Sequence, residues 1–481
     1  MNIRPVLRFL GRLLLILAFA EAVPVVCCLV YGETGDALAF GATSLATAGM
    51  GLLFAFLGRG GGEIYRREGI LIVVGGWALA SLFGALPYLG TETFVHPVNA
   101  LFESASGFTT TGASVMTDIE SHGRGILFWR SFTQWLGGMG IIVLFVALLP
   151  EIVPGARFLF KMEVPGPTAE TLHPRVRDTA IVLWKIYLLF TVAEVALLML
   201  GGLDLYDALT HTFSTLSTGG FSPRSASLAA FPPWVQGTVI VFMVLAGMNF
   251  SLFYLVWKGQ RRALFRDPEV RLFLGIILTV TLVIVGDLLL AGIYDRVGEA
   301  GLDATFQVAS LMTTTGFATA DFDTWPLLSR NLLVFLMFIG GCAGSTAGSM
   351  KVARILVGLK FGLREVRLVF SPNWVRGIFV GGSPVPESVV RSVAGFFILF
   401  VSLWGFGAVL LAVGGEGLLT AATASIAILG NVGPGLEAVG PIRNYAHFNE
   451  LQKLLMVLLM WLGRLEVYAI AAVFSLRFWK P

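Results

Sequence analysis

Charge is what this chain has least of. Of its 481 residues only 13% are Asp, Glu, Lys or Arg, where a soluble domain usually carries roughly 25%. Cysteine is scarce as well. Cys27, Cys28 and Cys342 each lie in an apolar run, which leaves no disulfide framework and no cysteine-based metal spacing. The histidines (His96, His122, His173, His211 and His447) are scattered and show no ligand spacing either. There is no HExxH pair and no Gly-rich nucleotide loop, which argues against a membrane enzyme. No span carries Arg or Lys at every third position, so a voltage sensor is excluded. The net charge of +3 does not point to nucleic acid, because the basic residues fall in short loops between apolar runs.

Apolar sequence is what the chain has in excess: 56% of residues are hydrophobic and the mean hydropathy is +0.82. A bilayer span needs about 20 apolar residues. That rule predicts ten spans, near 8–31, 37–58, 70–90, 124–149, 178–201, 235–257, 272–294, 331–363, 390–413 and 450–478. Arg4, Arg8 and Arg12 precede a leucine run and Ala18-Phe19-Ala20 resembles a signal-peptidase site. Apolar sequence resumes after Glu21, so 8–31 is expected to be a retained first span, kinked at Pro24.

Lys and Arg cluster in one set of loops: Arg59, Arg66 and Arg67; Arg157, Lys161, Arg175 and Arg177; five between 258 and 271; and Lys360, Arg364, Arg367 and Arg376. The opposite loops carry acids such as Glu33, Glu92, Glu120, Asp207 and Asp321. Positive residues stay inside, which predicts a multi-pass protein with both termini cytoplasmic.

Four outer loops hold a short apolar stretch, too short to span, that runs into small residues. The first is 97–108 before Thr109-Thr110-Thr111-Gly112, and the second 203–215 before Ser217-Thr218-Gly219-Gly220. The third is 302–312 before Thr313-Thr314-Thr315-Gly316, and the fourth 418–429 before Asn431-Val432-Gly433. The four key glycines, Gly112, Gly220, Gly316 and Gly433, recur at intervals of roughly 100 residues, which marks an internal repeat. The expected organisation is an N-terminal two-span unit (1–69) and four pore repeats (70–150, 151–258, 259–370 and 371–481). The fold class is therefore all-α integral membrane, with two extra spans and four span–pore-helix–filter–span units around a pseudo-four-fold pore.

Irregular backbone at membrane depth survives only where protein buries it or it lines a wet cavity. Four such segments in one chain suggest one shared axis. Potassium sheds its water where a ring of backbone carbonyls replaces it, and glycine supplies the positive φ that aims successive carbonyls. Half-helices directing their negative C-terminal ends at the axis favour a cation. The expected filter is Thr110, Thr111, Gly112, Thr218, Gly219, Gly220, Thr314, Thr315, Gly316, Asn431, Val432 and Gly433.

With these segments, the stretches Arg66-Arg67-Glu68-Gly69, RSFTQWLGGMG (130–140), GGCAGSTAGSMK (340–351) and Gly463-Arg464-Leu465-Glu466 resemble the Trk/Ktr/HKT superfamily of potassium transporters, nearest its TrkH/TrkG branch. The resemblance covers nearly the whole chain, and the two extra N-terminal spans mark Trk rather than Ktr. It implies a gated, channel-like homodimer in the bacterial inner membrane, with one pore per protomer, that imports K+ and holds no permanent cofactor. It also implies a cytosolic TrkA-like ring of regulatory subunits, with NAD or ATP/ADP bound there and not on this chain. Sodium-preferring relatives carry Ser at the first filter glycine, so Gly112 implies potassium. Ala113 and Pro434 depart from Phe221 and Phe317 at the following position, which leaves a sodium-permeable or mixed pore as the alternative.

Gly340, Gly344 and Gly348 lie four apart, a spacing that also serves close helix packing; residues alone leave packing and gating both open. The resemblance implies an intramembrane gate formed by Gly340, Gly341, Gly344, Ser345, Gly348 and Lys351. Arg464 lies mid-span, where a charge is expensive and functional by default. The resemblance implies a pore-facing cation there, against an ion pair with Glu103 or Glu466. An alternating-access carrier would favour inverted repeats, whereas these four share one orientation.

Overall fold

The computed structural model describes residues 2–60, 62, 64–140, 176–372 and 377–479. The inner-loop residues Arg157, Lys161, Arg175 and Arg376, and the end of the expected fourth span, lie outside the described residues. Six helices are long and apolar enough to cross a bilayer: Ile3–Tyr31, Thr34–Leu57, Arg67–Gly90, Ala180–Leu200, Pro268–Leu290 and Glu387–Val413. They match expected spans one, two, three, five, seven and nine. Pro24 sits inside the first helix, which continues through it.

The other four expected spans all follow a small-residue stretch. For spans four, six and ten the expectation of an unbroken helix is corrected, while the interruption of span eight falls on the glycine-dense stretch where the resemblance implies an intramembrane gate. Span six is two helices, Pro233–Ala246 and Phe250–Trp257, bent by 95°. Span eight is Leu327–Leu336 and Val352–Phe370 with an irregular segment, 337–351, between them. Span ten breaks after Glu450–Arg464 at Glu466 and Val467, both with positive φ, and resumes as Tyr468–Phe474. Span four is helical over Arg124–Gly138 and turns at Gly140, φ 70°. Hydropathy averaged over a span-length window does not register such breaks, because apolar residues on either side outweigh the few at the break itself. The breaks survive because they satisfy one another. Phe250 N donates to Gly344 O at 3.1 Å, and Cys342 N donates to Gly247 O at 2.8 Å.

The first two pore helices start on residues suited to the task. Pro97 opens the first (Pro97–Phe108), where its missing N–H loses nothing. Asp204 caps the second (Leu205–Leu216), accepting from Asp207 N at 2.7 Å. The third and fourth are Val297–Met312 and Leu418–Leu429. The strand pairing among the described residues is a two-residue hairpin, Phe379–Val380 with Ser383–Pro384.

The first two helices touch backbone to backbone. An added Cβ on Gly11 would lie 2.5 Å from Ala55 N, and one on Gly58 would lie 2.3 Å from Arg8 N. Buried Glu21 accepts from Thr47 Oγ1 at 3.0 Å, so it serves the contact between these helices. Glu33 then joins this pair to the first repeat by capping the helix Arg124–Gly138, accepting from Arg124 N (2.6 Å) and Gly125 N (2.9 Å). The second helix shows Leu38, Leu45 and Leu52 on its exposed face, a heptad stripe suited to lipid.

Close crossing at Gly11 sets an expectation. Gly11→Val should destabilise the detergent-solubilised protein by about 1–3 kcal/mol, as overpacking does, and lower its thermal midpoint. Gly41→Val, at a position with nothing within 4 Å, should leave the midpoint unchanged.

Candidate functional site

All four pore helices end alike. After Pro97–Phe108, the amide of Thr110 donates to Gly107 O (3.0 Å) and that of Thr111 to Ser106 O (2.9 Å). This pair of bonds is a Schellman closure. It recurs with Thr218 and Gly219 on Thr215 and Ser214, with Thr314 and Thr315 on Leu311 and Ser310, and with Asn431 and Val432 on Ile428 and Ala427. The left-handed position, usually glycine, is Thr110, Thr218, Thr314 or Asn431, with φ of 55°, 55°, 57° and 53°. The closure spends the N–H groups of each segment on its own helix. Their carbonyls remain for other partners.

The key glycines close these segments into a ring. A Cβ on Gly112 would lie 2.1 Å from Gly219 O, one on Gly220 2.0 Å from Thr315 O, and one on Gly316 2.1 Å from Val432 O. A Cβ on Gly433 would lie 2.8 Å from Thr111 O, which completes the circle in chain order. From Gly112 the carbonyl of Thr315, across the ring, is only 3.7 Å from the same point. Four equivalent carbonyls thus converge on one axis, and all four glycines have positive φ, from 76° to 101°. The structure brings all twelve expected filter residues to this one place.

Sequence reasoning missed the groups that hold the ring. Arg130 and Glu103, both buried, pair at 2.6 Å, and Arg130 Nη1 donates to Ser222 O at 2.9 Å. The guanidinium also lies 3.7 Å above the centre of the Phe221 ring. Glu103 accepts from Val115 N (2.9 Å), so one ion pair ties the first filter's exit to the second's. Gln134 donates to Gly219 O (2.6 Å) and accepts from Phe221 N (3.0 Å). Asn431 Nδ2 reaches Thr111 Oγ1 at 2.8 Å, and Tyr445 OH donates to Gly433 O at 2.7 Å. Arg130 and Gln134 lie inside the RSFTQWLGGMG stretch, which was the available signal. Tyr445 had none. On the mouth side, Arg224 pairs with Asp207 at 2.7 Å, and that hydrogen bond raises its pKa above the ordinary guanidinium value.

Beneath the ring lies the irregular segment 337–351. Gly348 N donates to Thr314 Oγ1 at 2.7 Å, so the segment touches the third filter directly. A Cβ on Gly348 would meet Gly430 O at 2.4 Å, and one on Gly340 would meet Gly348 O at 2.0 Å. One on Gly341 would meet Gly247 O at 2.6 Å. Gly344 has φ 75°, and Ser345 Oγ donates to Cys342 O at 2.6 Å. Thr346 Oγ1 donates to Leu216 O at 3.0 Å, on the second pore helix. Lys351, the charged residue that closes the glycine-dense stretch, is buried, with its ammonium on Ala347 O. Glu269, another residue the sequence did not single out, ties the middle of the segment to the start of the helix Val352–Phe370. Its carboxylate accepts from Ala343 N (2.7 Å) and Ala353 N (2.8 Å).

Arg464 spans the same region. It donates to Thr346 O (2.8 Å) in the segment and to Gly137 O (2.7 Å) and Gly138 O (3.1 Å) at the end of Arg124–Gly138. The two carboxylates considered for it are engaged by other arginines: Glu103 by Arg130, and Glu466 by Arg354.

The chain's relatives agree with this architecture. A family model described as TrkH, cation transport protein, matches residues 39–479. The Trk system potassium uptake protein TrkH of Salmonella typhimurium is 37% identical over 100% of both chains, and that of Halomonas elongata 38% identical over the same share. TrkG of Escherichia coli is 36% identical over 88% of this chain and 87% of its own. The crystal structure of the potassium transporter TrkH from Vibrio parahaemolyticus matches with a TM-score of 0.91 and 35% identity, covering 100% of each chain. A full-length match in sequence and in fold admits one assignment: the chain belongs to the TrkH family of cation transport proteins.

Proposed function

We propose that this chain is the pore-forming subunit of a potassium uptake system, conducting K+ through the ring of four filter segments. The observation that carries the proposal is the closed cycle of glycine–carbonyl approaches from Gly112 round to Gly433. A ring of that kind can replace the hydration shell of a potassium ion. Four helix C-termini behind it add negative potential. Relatives named for potassium uptake at 36–38% identity support the choice of ion. A carrier that rocks about a midplane site would be built from inverted repeats, and a ring of four like-oriented segments does not suit it.

The finer parts of the proposal follow. The repeats divide at 70–150, 151–258, 259–370 and 371–481, with 1–69 outside them. The segment containing Gly340, Gly341, Gly344, Ser345, Gly348 and Lys351 is the gate, lying across the path under the filter. Arg464 adds positive charge beneath the filter and holds the gate by its bond to Thr346 O. The protein is a homodimer of the bacterial inner membrane with cytoplasmic termini. A cytosolic nucleotide-binding ring docks on the basic inner loops and acts through the helix Val352–Phe370. Such coupling requires the ring to bind open and closed pores with different affinity.

Three outcomes are expected in proteoliposomes. Gly112→Ser places a side chain against Gly219 O at positive φ, and should lower the K+/Na+ permeability ratio by about tenfold, which corresponds to about 1.4 kcal/mol; an unchanged ratio removes Gly112 from the filter. Deleting 344–348 takes away the bonds of Thr346 and Gly348 and should raise K+ flux without the ring. Unchanged flux from an assembled dimer would make the segment a packing element. Flux should also depend on nucleotide when the ring is bound; equal flux with and without nucleotide would make the pore autonomous.

A further inference from the structure

On the side of the filter away from the 337–351 segment, a cavity is lined by all four key glycines and by residues one or two positions beyond them, Ala113, Ser222, Ala318 and Pro434. Its charged lining is of one sign. Arg130, Arg224 and Arg443 line it, and no Asp or Glu does. This is an unexpected mouth for a cation pore, where acidic rings are the usual device.

Two of the three arginines are compensated. Arg130 is paired with buried Glu103 at 2.6 Å, and Arg224 with Asp207 at 2.7 Å. Arg443 is exposed and has no ion pair among the described residues. The acids of the neighbouring outer loops make other contacts or lie outside the lining. Glu120 accepts from Ser225 N at 2.7 Å and faces Arg224. Asp323 pairs with Arg330 at 2.9 Å, and Glu437 accepts from Thr420 Oγ1 at 2.9 Å. Asp118 lies on the rim between Thr117 and Ile119 without itself lining the cavity. The backbone around Arg443 is fixed: its amide bonds Gly440 O at 2.9 Å, and Tyr445 N bonds Ser114 O at 2.8 Å. The backbone that carries this side chain is therefore tied at the entrance by short connections to the first and fourth filters.

We infer that Arg443 is a valence-selecting residue: its uncompensated charge thins out cations at the mouth and does so more strongly for divalent than for monovalent ions. The reason is electrostatic. The Boltzmann factor for a divalent ion at a given potential is the square of that for a monovalent one. With the dielectric of water and a separation on the order of 8 Å, one such charge depletes K+ roughly 2.4-fold and a divalent ion roughly 6-fold. Potassium loses some entry rate, and the carbonyl ring is spared occupation by divalent ions that bind oxygen more tightly. Salt should erase the effect, since the Debye length falls from about 30 Å at 0.01 M to about 3 Å at 1 M.

This inference rests on the potassium-pore reading, and the experiment separates the two. Purified full-length protein in liposomes is assayed for K+ uptake at limiting potassium, with Ba2+ as the divalent probe, at low and high ionic strength. Uptake by the parent protein tests the pore; the ratio of variant to parent tests Arg443. Arg443→Gln should raise K+ uptake roughly 2-fold at low ionic strength and lower the Ba2+ concentration for half-inhibition roughly 6-fold. Arg443→Lys should match the parent, and all differences should vanish at high ionic strength. Equal K+ uptake and equal Ba2+ sensitivity in Arg443→Gln would overturn the inference. So would a change of the same factor for both ions, or one that Arg443→Lys fails to prevent, because either marks a local structural effect.

Discussion

Hydrocarbon offers no hydrogen bonds, so every N–H at membrane depth must find a partner within the protein. The filter segments meet this demand by borrowing the ends of their own pore helices. Each Schellman closure consumes two amides of the filter strand on the last turn of the helix. That leaves the carbonyls on the other side of the strand available to an ion. The same arrangement explains why Thr110, Thr218, Thr314 and Asn431 tolerate a left-handed conformation: two hydrogen bonds and complete burial hold each of them there.

From that constraint follows the tightness of the ring. Carbonyls that face an axis crowd their neighbours, so the position beside each carbonyl must lack a side chain. Gly112, Gly220, Gly316 and Gly433 meet that requirement one after another around the circle. The ring then needs bracing from behind, and the braces are polar and buried: the Arg130–Glu103 pair, Gln134, Tyr445 and the amide of Asn431. A buried ion pair adds little net stability. Here it ties the exits of two filters into one body, and removing either partner would strand the other charge.

Filter and intramembrane segment form one hydrogen-bonded unit. Thr314 contributes a filter position and also accepts from Gly348. Thr346 bonds the second pore helix through its side chain and Arg464 through its carbonyl. Glu269 ties the middle of the segment to the helix that follows it. Any movement of 337–351 must therefore break bonds to the second repeat, the third repeat and Arg464 together, which favours a two-state change over a gradual one.

The sequence by itself determined the membrane class, the places of the apolar spans, the four pore helices and the key glycines. Those features are local: a run of apolar residues crosses lipid whatever its neighbours do, and a glycine after a Thr-rich stretch marks positive φ without reference to the rest of the chain. Contiguous motifs, such as residues 130–140 and 340–351, also carried the resemblance to the Trk superfamily. The break in span six stayed hidden because apolar sequence runs straight through it, whereas the glycine-dense stretch 340–351 marked the interruption of span eight. Only the tertiary structure decided that Glu103 belongs to Arg130 and not to Arg464, that Glu269 anchors a segment more than seventy positions later, and that Lys351 is buried. Such pairings depend on where distant helices cross. A charge in hydrocarbon must find its partner in space, and spacing along the chain does not say which one lies within reach.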